Sequence, residues 1–274
     1  MKSEIMPGTK IHGRELEVPV DLPGFRDLHQ GETIVVCGCG ASLSAFEHPE
    51  RFVTVGVNDV GRLFDPTYLV VLNPAHQFRG ERFKYVRESR ARAVFTQLDL
   101  KRPPGGIEGG EPRLSHPHVV RFRLGRRGGT DFSDPATLPY TNNSPYVAFC
   151  LALYMGAGRI GLVGVDFRDH HFFAETGRHP LAGSLCRIDG EYRNLAEACR
   201  KRGVEAFNLS RESRLTAFPK MSLRDFAARS PVRAGVSSAV GDVDLEGLRT
   251  RARAPGVRTA PSPRLPSAHR PAAE

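Results

Sequence analysis

The chain has 274 residues, 40% of them hydrophobic and 25% charged, with a formal net charge of +9. That composition is ordinary for a soluble globular protein and ample for a sizeable core, while no run approaches the roughly 18 apolar residues of a membrane span. The opening MKSEIMPGTK lacks the apolar stretch of a secretion signal, so a cytoplasmic location is expected, and the positive balance favours anionic partners such as nucleotides, nucleic acid or acidic glycans. Five cysteines (Cys37, Cys39, Cys150, Cys186, Cys199) without any CxxC spacing predict neither a disulfide framework nor a zinc site.

Residues 1–30 carry Pro7, Pro19 and Pro23 and read as an irregular lead-in. The core is expected over residues 31–230. Thr33–Cys37 is an apolar run that ends in Gly38-Cys39-Gly40-Ala41-Ser42, which predicts a buried strand, a glycine turn and a helix start. Such a turn lets backbone N–H groups approach a phosphate with no Cβ in the way. Ser44-Ala45-Phe46-Glu47 matches a capping box, placing a short helix there. Val53–Val57 and Tyr68–Leu72 read as further strands, each followed by an asparagine, Asn58 and Asn73. Gly80 to Arg92 reads as a charged surface helix and Ala93–Gln97 as a strand.

Residues 101–118 are crowded with Gly and Pro and predict a long loop. Val119–Leu124 is a strand, and Gly125 to Asn142 is a second irregular stretch. Loops of this length in a compact domain suit lids or binding segments. Ser144-Pro145 opens the clearest helix, with Ser as N-cap and Pro in the first turn, running to about Met155. Arg159–Val165 is a buried strand that ends in Gly164-Val165-Asp166-Phe167. Glu191 to Arg202 is a helix closed by Gly203, Val204–Asn208 a strand, and Ser222–Arg229 a last short helix. From residue 231 the chain is rich in Arg, Pro and Ala, predicting a disordered basic tail over 231–274. Strands and helices alternating in this way predict a single α/β domain with a mostly parallel sheet and helices on both faces.

The chemistry is expected at the carboxyl ends of those strands, where ligands of open α/β sheets bind. Gly38 to Ser42 is not a dinucleotide fingerprint, because the third glycine position is Leu43. Ser42 either bonds a phosphate or caps the helix. Asn58 and Asn73 read sugar hydroxyls or a base edge, or simply suit turns after strands. Asn143 and Ser144 sit where a helix N-terminus favours an anion. Asp166 binds a hydroxyl or a metal, or caps a turn. His170 and His171 follow closely and invite general acid–base work.

In their order, GCGASL, GVND, LNP, NNSPYVAFCLALYMGAGRIGLVGVDF and FNLSRESRLTAF resemble the bacterial sialyltransferases of the Campylobacter type, and related bacterial and phage proteins with the same Rossmann-like core. The resemblance covers about residues 31–220. It implies a glycosyltransferase with a nucleotide-activated, CMP-linked sugar donor and no metal or other cofactor. By resemblance Gly38, Cys39, Gly40, Ala41, Ser42 and Asn58 hold the phosphate and ribose, and Asn73 faces the donor sugar. Asn143, Ser144, Gly164 and Phe167 line the cytidine side, with Asp166 beside them. Cys39 stands where the family has asparagine, and Arg168 with the histidines stands in place of two tyrosines that assist the leaving phosphate. Aligning the family's catalytic histidine places Cys186 at its position. His179 is the nearest candidate base, with His170 and His171 as rivals. A weaker resemblance joins the glycine turn and GxD strand end to archaeal-type hydroxymethylpterin diphosphokinases, which would need magnesium on carboxylates such as Asp59 and Asp166. A third reading is a nucleotide- or nucleic-acid-binding protein without catalysis. The acceptor and the oligomeric state are left open.

Overall fold

The computed structural model describes residues 19–98 and 116–230, and the backbone of two paired strands, Lys10–Ile11 (β1) and Arg14–Glu15 (β2). The tail expected from residue 231 and most of the expected 101–118 loop lie outside the described residues. Seven strands form one parallel sheet: Thr33–Cys37 (β3), Val53–Val57 (β4), Tyr68–Val71 (β5), Ala93–Thr96 (β6), Val119–Arg121 (β7), Arg159–Val163 (β10) and Glu205–Asn208 (β11). Their order is β11-β10-β3-β4-β5-β6-β7. Ile34 lies opposite Val53 on one side and Ile160 on the other. Every residue of β4 and β5 is buried, as expected of strands covered on both faces. The sheet is Rossmann-like: the chain winds outward from β3 through β7, then returns to place β10 and β11 on the other side. That reversal between β3 and β10 is the topological switch near which such sheets bind ligands.

Two apolar clusters fill the two faces. On one, the helix Ser144–Tyr154 (α2) has all eleven residues buried, because it is apolar all round and lies wholly inside the protein. Beside it runs Leu185–Arg202 (α3), which turns Ile188, Tyr192, Leu195 and Cys199 inward at helical spacing and stops at Gly203 with φ 67°. Short 3-10 turns cover the other face with the helices Lys84–Arg87 (α1) and Leu223–Arg229 (α4). There Phe226 packs among Phe52, Leu209 and Val163. Ser222 caps α4 by accepting the Asp225 N–H at 3.0 Å.

Several local expectations are corrected. The capping box at Ser44 starts nothing: a 3-10 turn covers Ala41–Ala45, and the Ser44 hydroxyl donates back to the Ala41 carbonyl at 2.8 Å. The surface helix expected from Gly80 is a 3-10 turn, Gly80–Phe83, followed by one turn of α1. Val119–Leu124 is not one strand. After Arg121 the chain leaves the sheet, and Arg123–Arg127 (β8) pairs with Thr137–Tyr140 (β9) inside the stretch expected to be irregular. α3 begins at Leu185, six residues before the expected start. The last part of the lead-in is not peripheral. Leu22 and Phe25 are fully buried, and the N–H groups of Asp27, His29 and Gly31 bond the carbonyls of Tyr154, Met155 and Gly156.

Candidate functional site

A cleft of about 830 Å³ opens over the carboxyl ends of β3, β4, β5 and β10, a size that suits a small organic ligand. Four strand ends and the start of α2 supply its walls. Cys39 and Gly40 follow β3, Asn58 follows β4, Asn73 follows β5, and Gly164 to Arg168 follow β10. Asn142 to Pro145 lie at the N-terminus of α2, and the segment after Arg168 adds His170, His171 and His179. Gly38, Ala41 and Ser42 do not line the cleft.

The glycine turn is not an open phosphate cradle. The N–H groups of Gly38 and Gly40 donate to the carbonyls of Val163 (2.8 Å) and Gly164 (2.7 Å), which zips the turn onto the end of β10. Ser42 donates its N–H to Asp166 Oδ2 at 2.8 Å and its hydroxyl to Oδ1 at 2.6 Å. The same hydroxyl oxygen accepts the Gly164 N–H at 3.0 Å and meets the Ser210 hydroxyl at 2.6 Å. Both donors of Ser42 are thus engaged within the protein, where they clasp the turn to the end of the neighbouring strand. Close approach explains the glycines: a Cβ on Gly38 would lie 2.3 Å from the Gly164 oxygen, and one on Gly40 would lie 2.5 Å from Asp166 Oδ2. Gly164 needs its glycine twice over, for its φ of +69° and because a Cβ there would lie 2.3 Å from the Gly38 oxygen.

Cys39 is a protonated thiol. Burial, and next the Asp59 carboxylate, push its pKa far up, and its sulfur lies 3.4 Å from the Val57 carbonyl. A raised pKa disfavours the thiolate, which is the nucleophilic form. Asp59 is fully buried and bound at both oxygens by Arg82, Nε to Oδ2 at 2.8 Å and Nη2 to Oδ1 at 2.6 Å. The two carboxylates available to a magnesium ion, Asp59 and Asp166, are thus both committed to protein donors, and the donor set does not fit that metal. Among the described residues no group of three or more His, Cys, Asp or Glu side chains is placed to hold a metal.

The asparagines are poised differently. Asn58 adopts φ 53°, a left-handed geometry that asparagine tolerates better than most residues. Its Oδ1 is shielded from solvent with no hydrogen-bond partner, an arrangement that costs energy unless a ligand donor fills it. Asn143 is the N-cap of α2 and makes no side-chain cap bond, which corrects the capping role expected of Ser144. Its Oδ1 accepts the Tyr192 hydroxyl at 2.6 Å, leaving the amide N–H₂ for a ligand.

The charge around the cleft is positive. Arg79 and Arg178 line it with no ion-pair partner among the described residues, beside Arg82 and Arg168. Arg168 pairs with Glu212 at 2.6 Å, both side chains exposed, a weak pairing that an anion could exchange. The sequence alone does not single out Arg79, Arg82, Arg178 or Gln77, all of which line the cleft. The run Gln77-Phe78-Arg79-Gly80-Glu81-Arg82, close behind a strand end, was the signal available for the first group. Burial lowers the imidazole pKa of both His171 and His179 from 6.5, so both rings are neutral at neutral pH.

No protein-family model matches the chain, and no curated protein does. Among solved structures it is similar to the MAf glycosyltransferase from Magnetospirillum magneticum AMB-1, with 12% identity over 74% of this chain and a TM-score of 0.47. The chain spans only 37% of that protein's length. It is also similar to the sialyltransferase CstII from Campylobacter jejuni in complex with cytidine-5'-monophosphate (12% identity, 70% of this chain, 86% of that one, TM-score 0.41). Likewise it is similar to the α-2,3-sialyltransferase Cst-I of the same organism (14% identity, 69% of this chain, 80% of that one, TM-score 0.38).

Proposed function

We propose that this protein is a metal-independent transferase that takes a glycosyl group from a nucleotide-activated sugar. The observation that carries the reading is the cleft itself. It sets Arg79 and Arg178, unpaired among the described residues, and a helix N-terminus, both suited to a phosphate, beside amide groups suited to hydroxyls and a base edge. Neutral imidazoles on the same wall supply acid–base capacity at neutral pH. Glycosyl transfer from such a donor develops negative charge on the departing phosphate, and the positive charge lining the cleft suits that step. A CMP-linked donor is the finer reading, and it rests on the resemblance of the ordered motifs. The commitment of Asp59 to Arg82 and of Asp166 to Ser42 favours this over a magnesium-dependent diphosphokinase. The acceptor is a hydroxyl-bearing molecule.

Incubating the full chain with CMP-, UDP-, GDP- and ADP-linked sugars tests this reading, with release of the nucleoside phosphate followed with and without EDTA. The expected result is release from one donor class, undiminished by EDTA. No release from any donor, or release only when magnesium is present, would defeat the proposal.

A further inference from the structure

The three histidines on the cleft wall differ in which ring nitrogen is free. His179 Nδ1 accepts the backbone N–H of Leu181 at 3.1 Å, and His170 Nδ1 accepts that of Gly177 at 3.3 Å. A backbone N–H can only donate. In each neutral ring the proton must therefore sit on Nε2, so both rings present a donor there. His171 Nδ1 instead meets the hydroxyl of Thr176 at 2.6 Å. A hydroxyl accepts as well as donates, so His171 alone of the three can hold its proton on Nδ1 and present a bare Nε2.

The backbone that carries this ring is held against the glycine turn. His171 bridges to Gly40 across the glycine turn, and the Phe172 N–H bonds the Cys39 carbonyl at 3.1 Å. The His171 ring lies 5.2 Å from that of Phe173 and 6.3 Å from that of His179, nearly parallel to the latter. His179 rests on Phe167 at 5.2 Å.

We propose that His171 is the proton acceptor of this site, that Thr176 is its positioning residue, and that His179 is a proton donor facing the same cleft. The assignment rests on the transferase reading for its chemistry, though not for its geometry. His171 Nε2 takes the proton of the acceptor hydroxyl as that oxygen bonds the anomeric carbon of the donor. The bond from that carbon to the phosphate oxygen breaks, and its electron pair leaves on the phosphate. The departing oxygen accepts a hydrogen bond from His179 Nε2–H, and the His171 imidazolium then releases its proton to solvent. His170, exposed and fixed as a donor, takes no part in the proton transfer.

The test is a long-range ¹H–¹⁵N spectrum of the histidine-labelled full chain at about pH 8, where unperturbed imidazoles are neutral. Each ring is assigned from a single His→Gln variant. The expected pattern is Nε2–H for His170 and His179 and Nδ1–H for His171. Thr176→Ser should keep the His171 pattern, and Thr176→Val should lose it. A His171 ring with its proton on Nε2 in the wild type, or one indifferent to Thr176→Val, overturns the assignment. In turnover, His171→Gln should lose at least about 100-fold in kcat with nucleotide affinity kept, whereas His179→Gln should weaken nucleotide binding. The reverse division also overturns it. The expected tautomers in a protein that binds no nucleotide would overturn the transferase reading and leave the division of the rings standing.

Discussion

Ser42 holds both oxygens of Asp166, one with its backbone N–H and one with its hydroxyl. This clasp ties the turn after β3 to the end of β10 across the switch point of the sheet, and so sets one wall of the cleft. Ser42→Ala should remove the hydroxyl contacts to Asp166 and Ser210 and strand the Gly164 N–H. The expected cost is about 1–3 kcal/mol of stability, read by urea denaturation. Nucleotide affinity should stay within about twofold, less than 0.5 kcal/mol, because Ser42 does not face the cleft. An intact stability with a large loss of affinity would restore the phosphate-ligand reading.

Asp59 is fully buried and Arg82 partly so, and the two members of the pair need each other. Arg82→Met leaves the buried Asp59 carboxylate uncompensated. Up to about 3–5 kcal/mol of destabilisation follows from breaking such a pair. The double variant Arg82→Met, Asp59→Leu should recover much of that loss, since the unpaired charge is gone. A double variant as unstable as the single one would show that the pair's worth lies elsewhere.

The turn glycines should resist even one methyl group. Gly38→Ala forces a Cβ against the backbone oxygen of Gly164, which cannot swing aside as a side chain would. A loss of about 1–3 kcal/mol, typical of overpacking, should appear as a lowered Tm. An unchanged Tm would mean that the two backbones separate at little cost.

The imidazoles set an acid limit on stability. Burial lowers the pKa of His171, His179 and His116 below 6.5 in the fold, and unfolding returns them to that value. Well above 6.5 they are neutral in both states and contribute no pH dependence. As the pH falls from 6.5 through the folded values, the unfolded chain binds more protons, so the unfolding free energy drops. Denaturation measured on both sides of 6.5 should show this slope. Replacing the three by Gln should flatten it, and a slope that survives would assign it to other groups.

The sheet was legible because parallel strands buried on both faces appear as short continuous apolar runs, as in Val53–Val57 and Tyr68–Val71. α2 was legible for the same reason, with Gly156 at φ 81° just beyond its end. What stayed hidden depends on residues far apart in sequence. Nothing local to Gly38–Ser42 announces that the N–H groups of Gly38, Gly40 and Ser42 are spent on Val163, Gly164 and Asp166, more than 100 residues away. Nor does Asp59 announce its pairing with Arg82. The 3-10 character of Ala41–Ala45 and the departure of β8 from the sheet are set by packing, which local propensity does not encode. Asn58 and Asn73 are legible because each follows an apolar strand, whereas Arg178 sits in a segment with no periodicity to place it.

Calorimetric titration of the full chain with CMP, UMP, GMP and AMP, repeated on Arg178→Ala and Asn58→Ala, reaches the cleft itself. Saturable binding of one nucleotide is predicted, weakened by roughly 10- to 100-fold in Arg178→Ala as a charge-assisted contact of about 1.5–3 kcal/mol is lost, and weakened also in Asn58→Ala. Absence of binding by all four, or binding untouched by both substitutions, would contradict a nucleotide seated over these strand ends.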